Sequence, residues 1–281
     1  MNYWKIVTRN LGVYSMQEQR RIKSASIMIC GLGGAGSYQA MLLARLGIGR
    51  ITCIDPGIFR LSNVNRQNFS SCISIRKKKA LIVAQKVKEI NPYIEVSCLP
   101  VRLTEKNAYK LISGHEIILE AVDNLFSKII IHRTAKVLGI PSMAILGSPP
   151  HRGFVSIFTP SGPSYEEVMS LPIYSDLRSY RSKEFQKLEI RLRQQRAKGA
   201  LKNGARVEWV DQFCVGQAGW PTDVIRVHLV ALLAVYEAVQ WVLHGKAMSR
   251  APKAIIVNLA HPQMVTIQAP RNRRRWSYAE L

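Results

Sequence analysis

Short apolar runs alternate with stretches of helical periodicity along the first 160 residues. Apolar positions recur at helical spacing in 36–47 and 75–90, and more weakly in 126–138. Strands separated by helices need crossover connections, which build parallel sheets covered on both faces. The pattern therefore predicts an α/β fold with a mostly parallel sheet and helices on both faces. The apolar runs read as strands are 25–30, 50–54, 94–98, 116–121, 141–146 and 154–158.

The pattern changes after residue 160, where a turn-rich stretch leads into a strongly basic segment, 177–206. Phe185, Leu188 and Leu192 are spaced to form one apolar stripe on a helix within this segment. We therefore expect a basic helical segment that crosses back over the sheet. Its basic side is either a solvated helix face or a surface that binds an acidic peptide or an RNA backbone.

The C-terminal third returns to regular periodicity. Thr222 is placed to cap a helix that runs to about residue 244. Two further apolar runs predict strands that add an antiparallel part to the sheet, and a basic tail is expected to be loosely held. The chain is thus expected to divide into 1–160 and the completing part 161–281 of the same domain. The two late runs are 254–259 and 264–268, and the tail is 271–276.

The charge of the chain is unusual, because 40 Lys and Arg oppose 18 Asp and Glu to give a net charge of +22. Such an excess favours nucleic acid, an acidic peptide, a phosphorylated ligand or an anionic surface as a partner. A general basic bias of the source proteome would produce the same excess without a specific partner.

Cysteine usage and hydropathy indicate the compartment. The five cysteines are odd in number and form no C-x-x-C pair, so we expect neither a disulfide framework nor a structural zinc. The first residues lack the apolar run of a signal peptide. The apolar run 229–243 is short for a bilayer and contains Glu237 and Gln240, so it is expected to be a buried or dimer-facing helix. The prediction is a cytoplasmic protein without a membrane partner.

The candidate chemistry begins at 27–37, I-M-I-C-G-L-G-G-A-G-S. Glycines between a strand and a helix let phosphate groups approach the amides at the helix N-terminus. Asp55 ends the next strand, where it can accept hydrogen bonds from ribose hydroxyls in a Rossmann-like sheet. These features favour a nucleotide site over a plain turn, without choosing between NAD and ATP. The glycines are Gly31, Gly33, Gly34 and Gly36.

The residues after Asp55 favour a triphosphate. Arg66 and Lys79 can neutralise β- and γ-phosphate oxygens, and Asp123 can hold a Mg²⁺ that bridges them. A nicotinamide ring would need a flat apolar slot and would have no use for these charges. Asn63 and Gln67 lie in the same L-S-N-V-N-R-Q-N-F stretch and complete the candidate site.

Several of these stretches resemble one known family. T-R-N-L-G, G-L-G-G-A-G-S, A-R-L-G-I-G-R-I-T-C-I-D, L-S-N-V-N-R-Q, K-x-K-A, I-N-P and A-V-D-N occur in this order between Arg9 and Thr159. Together they resemble the ubiquitin-activating-enzyme superfamily in its bacterial ThiF/MoeB/HesA form. Members adenylate a carboxylate with Mg-ATP, usually the C-terminal glycine of a ubiquitin-like sulfur carrier.

The resemblance implies a role for each matching residue. It places Gly36 against the phosphates, Asp55 at the ribose and Mg²⁺ on Asp123. It places Arg9 in the active site of a partner subunit, so the unit implied is a homodimer with composite sites. The residues implied to contact the phosphates are Asn63, Arg66, Gln67 and Lys79.

The chain departs from relatives that carry zinc-binding C-x-x-C pairs or a cysteine soon after the D-N. No cysteine lies between Cys98 and Cys214, and Cys214 falls late for a nucleophile. These losses favour an enzyme that stops at the acyl-adenylate or passes it to a small nucleophile. The carboxylate would belong to an acidic peptide or a small carrier protein. The alternatives are a tRNA-base-modifying relative that activates a carboxylate on the base, and a non-catalytic dimeric scaffold.

Overall fold

A computed structural model describes residues 2–270, 275–279 and 281. Its eight strands form one sheet in the order β3-β2-β1-β4-β5-β6-β7-β8. The strands are β1 (Ser26–Cys30), β2 (Arg50–Ile54), β3 (Glu95–Leu99), β4 (Ile117–Glu120), β5 (Ser142–Ser148), β6 (Arg152–Phe158), β7 (Ala254–Asn258) and β8 (Val265–Gln268). The helices are α1 (Tyr3–Ile6), α2 (Met16–Ser24), α3 (Gly34–Leu46), α4 (Lys79–Ile90), α5 (Ala108–Ile112), α6 (Leu125–Val137), α7 (Tyr165–Val168), α8 (Lys183–Ala200), α9 (Val207–Cys214) and α10 (Val224–His244).

The sheet is parallel through its first five strands and antiparallel from β5 onward. β1 pairs with β2 on one side and with β4 on the other, so the direction of strand order reverses there. Ligands of open α/β sheets bind at such a reversal, outside the carboxyl ends of the strands. The predicted fold class is confirmed, including the antiparallel C-terminal part.

Helices cover both faces of the sheet. One core joins residues of α2, α3, α4 and α10 to the sheet. Two clusters on the other face join it to α5 and α6, and to α7 and α8. The second of these contains Phe185 together with the partly buried Leu188 and Leu192, so the predicted apolar stripe in the basic segment is confirmed. The division at residue 160 stays a prediction.

Three sequence predictions need correction. The helix predicted over 75–90 begins only at Lys79, because Lys78 pairs with Ile58 in an isolated bridge. The Asp223 carboxylate, not Thr222, caps α10 by accepting from the Arg226 amide. The apolar run 229–243, expected to be short for a bilayer, is part of the longer helix α10. This helix has 21 residues and by length and composition could cross a bilayer, yet it packs against α3, β5 and β6 in the core.

The C-terminal tail is held more firmly than predicted where the structure describes it. Residues 271–274 of the basic tail lie outside the described residues. The Trp276 indole donates to the Pro252 carbonyl at 2.8 Å and packs edge-on against Phe154. Tyr278 and Leu281 are buried in the core cluster of α7 and α8. Aromatic burial of this kind fixes the end of the chain against the sheet.

Candidate active site

A cavity of about 610 Å³ lies over the carboxyl ends of β1, β2, β4 and β5. Seven basic and two acidic side chains line it among the described residues, so it is suited to a polyanion. The acids are Asp55 and Asp123. The basic residues are Arg66, Lys79, Arg102, Lys128, Arg193, Arg196 and Arg226.

The glycine turn after β1 forms the floor of the cavity. Gly31 has φ +94°, and a Cβ there would lie 2.5 Å from the Ala121 carbonyl oxygen, so no larger residue fits. Gly33 is the N-cap of α3 and supplies no side-chain cap, which leaves the first amides of this helix for a ligand. Gly33 and Gly34 line the cavity. The turn therefore has the features of an anion site at a helix N-terminus.

Asp55 fixes the shape of this turn. Its Oδ2 accepts from the Leu32 amide and its Oδ1 from the Gly57 amide, both at 2.7 Å. The side chain is only 9% exposed, yet it lines the cavity. Each carboxylate oxygen has a second lone pair. Asp55 can therefore both hold the turn and accept from a ligand hydroxyl.

The predicted phosphate-binding residues approach the turn from the loop after β2. Arg66 packs its side chain along Gly34, and its guanidinium donates to the Ser62 carbonyl and the Asn65 amide oxygen, both at 2.8 Å. Gln67 is 6% exposed, and its Oε1 has no hydrogen-bond partner within the described chain. Lys79 starts α4, half-buried, and lies beside Gly57. All three line the same cavity.

Asp123 lies on the loop after β4, at the rim facing the glycine turn. It is exposed, and its carboxylate has no hydrogen bond or ion pair within residues 2–270, 275–279 and 281. The following Asn124 accepts from the Ser127 amide and so caps α6. A free carboxylate beside a cationic cavity is a suitable ligand for Mg²⁺. Among the described residues, no group of three or more His, Cys, Asp and Glu side chains could hold a metal ion by itself. A Mg²⁺ at Asp123 would therefore need oxygens of a bound ligand as well.

A buried ion pair that the sequence did not reveal supports the Asp123 loop. Lys128 Nζ lies 2.7 and 2.8 Å from the two Glu120 oxygens, and Glu120 Oε1 also accepts from the Val122 amide. Burial alone would raise the pKa of Glu120, but its charged partner, the Lys128 ammonium, is the main cause that lowers it below its usual value. Glu120 is therefore a carboxylate, and its bond with the Val122 amide fixes the backbone that carries Asp123.

The far wall of the cavity contains residues that no motif in the sequence singles out. Arg196 of α8 and Arg226 of α10 meet beside Gly147 at the end of β5. Trp220 and Tyr278 flank the Arg196 guanidinium, with ring centroids 5.1 and 5.0 Å from its Cζ. The sequence showed only that 177–206 is basic. It could not show which of these cations turns inward.

Some predicted residues lie outside the cavity wall. Gly36 packs beneath the turn, where a Cβ would collide with the Gly31 carbonyl, so its glycine is explained by packing. Asn63 is buried, and its Oδ1 accepts from the Arg60 amide at 3.0 Å. Arg9 is exposed on the N-terminal segment. Cys214 ends α9 and is not part of the wall.

The glycine turn, the aspartate after β2 and the cations around one cavity define an α/β fold whose site suits a nucleotide. The ThiF family profile matches residues 7–277, and the chain belongs to the ThiF family. This confirms the resemblance seen in the sequence motifs.

Similar proteins include two curated adenylyltransferases. A probable molybdopterin-synthase adenylyltransferase of Porphyra purpurea is 35% identical over 154 residues, which are 54% of this chain and 40% of that protein. A sulfur carrier protein adenylyltransferase of Thermus thermophilus is 30% identical over 123 residues, 44% of this chain and 45% of that protein. The chain thus spans less than half the length of these curated relatives.

The fold is also shared with solved structures. E. coli MccB with ATP superimposes with a TM-score of 0.66 at 17% identity, over 89% of this chain and 64% of that chain. At this identity the likeness establishes the fold.

Proposed function

We propose that the protein adenylates the carboxylate of an acidic peptide or a small carrier protein with Mg-ATP, releasing pyrophosphate. One observation carries the proposal. The free helix N-terminus at Gly33, the cations Arg66 and Lys79 and the unpaired Asp123 surround the same cavity. The names of the curated relatives and the MccB structure with ATP support it.

The reaction needs charge neutralisation more than proton transfer. A carboxylate oxygen attacks the α-phosphorus, the bond from that phosphorus to the bridging oxygen breaks, and pyrophosphate leaves with the electron pair. The amides at Gly33 and Gly34 bind phosphate oxygens, and Arg66 and Lys79 balance the charge of the leaving group. Asp55 accepts from the ribose hydroxyls. Asp123 would hold Mg²⁺, which adds further positive charge at the phosphates.

ATP–pyrophosphate exchange tests the proposal directly. We would measure it on the wild-type protein with acidic peptides, with carrier proteins and with total tRNA. Exchange with a peptide or carrier protein supports the proposal. Exchange with tRNA alone would support the tRNA-modifying alternative, which the net charge of +22 favours. No Mg-ATP binding would indicate a scaffold.

Substitutions in the cavity wall test whether the activity resides in this cavity. Asp123→Ala or Arg66→Ala should abolish exchange while leaving the fold intact, since neither side chain is in the core. Lys79→Ala should reduce the rate on the order of 10²–10³. Lys77→Ala is the matched control, because Lys77 is exposed, two residues away and outside the cavity wall. Equal loss in Lys77→Ala and Lys79→Ala would indicate a non-specific charge effect.

We further propose a homodimer in the cytoplasm, with Arg9 reaching the partner's site. The N-terminal segment is exposed and apolar at Val13, and α10 exposes Ile225, Leu232 and Tyr236. The C-terminal half of α10, which carries Tyr236, adjoins the N-terminal segment, because His244 lies 3.8 Å from Glu18 of α2. An exposed apolar patch of this kind favours a protein contact. The five cysteines are free, in keeping with a reducing compartment.

A further inference from the structure

Arg196 and Arg226 form a pair of buried guanidinium groups on the wall of the cavity, on either side of Gly147. Arg196 Nη2 donates to the Gly147 carbonyl at 3.1 Å, and Trp220 Nε1 donates to the same oxygen at 3.3 Å. A Cβ at position 147 would collide with Arg226 Nη1, so the glycine leaves the space that this guanidinium occupies.

Both arginines are buried beyond nine-tenths, with exposures of 7% and 3%. Neither Nε has a hydrogen-bond partner within the described part of the chain. Each guanidinium has one backbone partner, the Gly147 carbonyl for Arg196 and the Pro221 carbonyl at 3.1 Å for Arg226, and its remaining donors make no hydrogen bond within the described part of the chain, which is costly for a buried cation. A ligand that accepts from both forks would remove that cost.

The surrounding charge leaves the pair under-neutralised. Asp223 lies 3.5 Å from Arg226 Nε, but it is half exposed and also caps α10. Lys128, a buried lysine of the wall, is already paired with Glu120. Arg193 adds a further cation to this side of the cavity. Burial lowers the pKa of Arg226, Asp223 raises it and the nearby Arg196 lowers it, which agrees with a second cation close to Arg226.

The pair lies on the opposite side of the cavity from the ribose aspartate. Asp55 follows β2, whereas Gly147 ends β5, and β1 and β4 lie between these two strands. The glycine turn after β1 and Asp123 after β4 therefore lie between Asp55 and the arginines. A nucleotide with its ribose at Asp55, its α-phosphate at the turn and its pyrophosphate at Arg66 and Lys79 would leave the α-phosphate facing the arginine pair, on the side opposite the leaving group.

We propose that Arg196 and Arg226 bind the carboxylate of the second substrate, at a subsite next to the phosphate site. This inference rests on the proposed adenylation. A carboxylate is planar and two-pronged, and the arginine fork matches it with paired hydrogen bonds. Trp220 and Tyr278 hold the Arg196 guanidinium in one orientation. The pair also offsets the repulsion between the incoming anion and the polyphosphate.

The test is selection of peptides by their C-terminus. Wild-type protein is equilibrated with a mixed-sequence peptide library carrying free C-terminal carboxylates and with the same library carrying C-terminal amides. Bound peptides are quantified by mass spectrometry. We expect the acid library to be retained about tenfold more than the amide library, as charge-assisted hydrogen bonds imply. Equal retention of the two libraries, whether both bind or neither binds, overturns the proposal.

Four variants separate the subsite from folding and from nucleotide binding. Arg226→Gln and Arg196→Gln should lose the acid preference. Arg196→Lys should recover only part of it, because lysine keeps the charge but not the fork. Gly147→Ala displaces the Arg226 guanidinium without removing a charge, so it should also lose the preference.

Arg191→Gln is the matched control. It removes one cation from the exposed side of the same helix, and Arg191 is outside the cavity wall. It should retain the wild-type acid preference. If Arg191→Gln loses the preference as well, long-range charge explains the selection and the proposal fails.

Mg-ATP affinity is measured separately by calorimetry. An affinity within about twofold of wild type in Arg196→Gln and Arg226→Gln supports a carboxylate subsite, whereas a tenfold loss assigns the arginines to the nucleotide and overturns it. Absence of Mg-ATP binding in the wild type would refute the adenylation proposal instead, whatever the peptide selection shows.

Discussion

At the scale of single residues, two glycines of the turn have different reasons to be glycine. Gly36 packs under the Gly31 carbonyl and has no room for a methyl group, whereas a Cβ at Gly33 would find its nearest neighbour, Gln67 Nε2, at 4.0 Å. Sequence alone gives both the same motif role. The structure assigns packing to Gly36 and an open approach to the cavity to Gly33.

This difference predicts opposite behaviour in two substitutions. Gly36→Ala should lower the free energy of unfolding by about 3 kcal/mol or more, because backbone must move to admit the methyl. Gly33→Ala should change it by no more than about 0.5 kcal/mol while weakening Mg-ATP binding, since the methyl stands at the helix N-terminus. Urea unfolding and calorimetry measure the two quantities. A stable Gly36→Ala protein would contradict the packing explanation.

His132 gives the protein an acid-sensitive stability. It is 3% exposed and stacks on Tyr165, and its Nε2 lies 3.9 Å from Glu120, too far for a hydrogen bond. Burial lowers the pKa of His132 more than Glu120 raises it, so the folded imidazole is neutral. In the unfolded chain the His132 imidazole takes up a proton as the pH falls through about 6.5, whereas in the folded chain it stays neutral to a lower pH. Stability is thus full above that pH and falls as the pH drops below it.

The variant His132→Asn should flatten this dependence. Its unfolding free energy should fall less between pH 6.5 and pH 5.5 than that of the wild type, although its value at pH 7.5 is lower because the stacking is lost. Thermal unfolding over a pH series measures both effects. His261→Asn is the control, since His261 is exposed on a loop. An unchanged slope in His132→Asn would show that another group causes the acid sensitivity.

At the scale of elements, the start of α10 shows how a cap is chosen. Thr222 and Asp223 are adjacent, and both residue types can cap helices. Asp223 is the N-cap, because its carboxylate accepts from the Arg226 amide at 2.9 Å and also faces the Arg226 guanidinium. Thr222 instead uses its carbonyl, which accepts from the Asn65 side chain at 3.1 Å.

The cap assignment is tested by a pair of alanine substitutions. Asp223→Ala should lower the free energy of unfolding by about 1 kcal/mol through loss of the cap. Thr222→Ala should alter it by less than about 0.5 kcal/mol. Chemical denaturation of both variants measures this difference. Equal losses, or a larger loss in Thr222→Ala, would contradict the observed cap.

Most elements could be predicted from the sequence because their local signals agree with the packing. The strand 25–30 is a nearly continuous apolar run, and such runs are typical of parallel strands buried on both faces. Positions set by long-range contacts could not be predicted. The sequence places Arg196 in a uniformly basic stretch, and only the approach of Gly147 and Tyr278 turns it inward.

In the candidate site, too, residues placed by the topology could be predicted, whereas residues placed by long-range contacts could not. Asp55, Arg66, Lys79 and Asp123 follow strands or start helices at one sheet edge, so their grouping follows from topology. The Lys128–Glu120 pair was hidden, because a lysine eight residues after a glutamate carries no signal until α6 folds back over β4.

At the scale of the whole molecule, the proposed dimer makes each site depend on two chains. If Arg9 serves the partner's site, Arg9→Ala and Asp123→Ala damage different halves of it. Each variant alone should then lack exchange activity. A mixed dimer keeps one complete site, built from Asp123 of the Arg9→Ala chain and Arg9 of the Asp123→Ala chain.

Subunit mixing tests this arrangement. After the two inactive variants exchange subunits, activity should return to about a quarter of the wild-type rate, since half the dimers are mixed and each has one good site. Analytical ultracentrifugation of each variant checks that both still associate. Failure to recover activity from two associating variants would place Arg9 in its own subunit's site or outside catalysis.

The origin of the cavity walls along the chain has a consequence for how such proteins diversify. The groups facing the proposed nucleotide come from residues 31–128, whereas the two arginines come from 193–226 and are supported by Gly147 and Tyr278. If Gly147 and Tyr278 are kept, the stretch 193–226 can be exchanged between relatives, by recombination or by design, to alter the acid that is accepted. The ATP-handling half would be inherited unchanged, and new substrates could arise without rebuilding the chemistry.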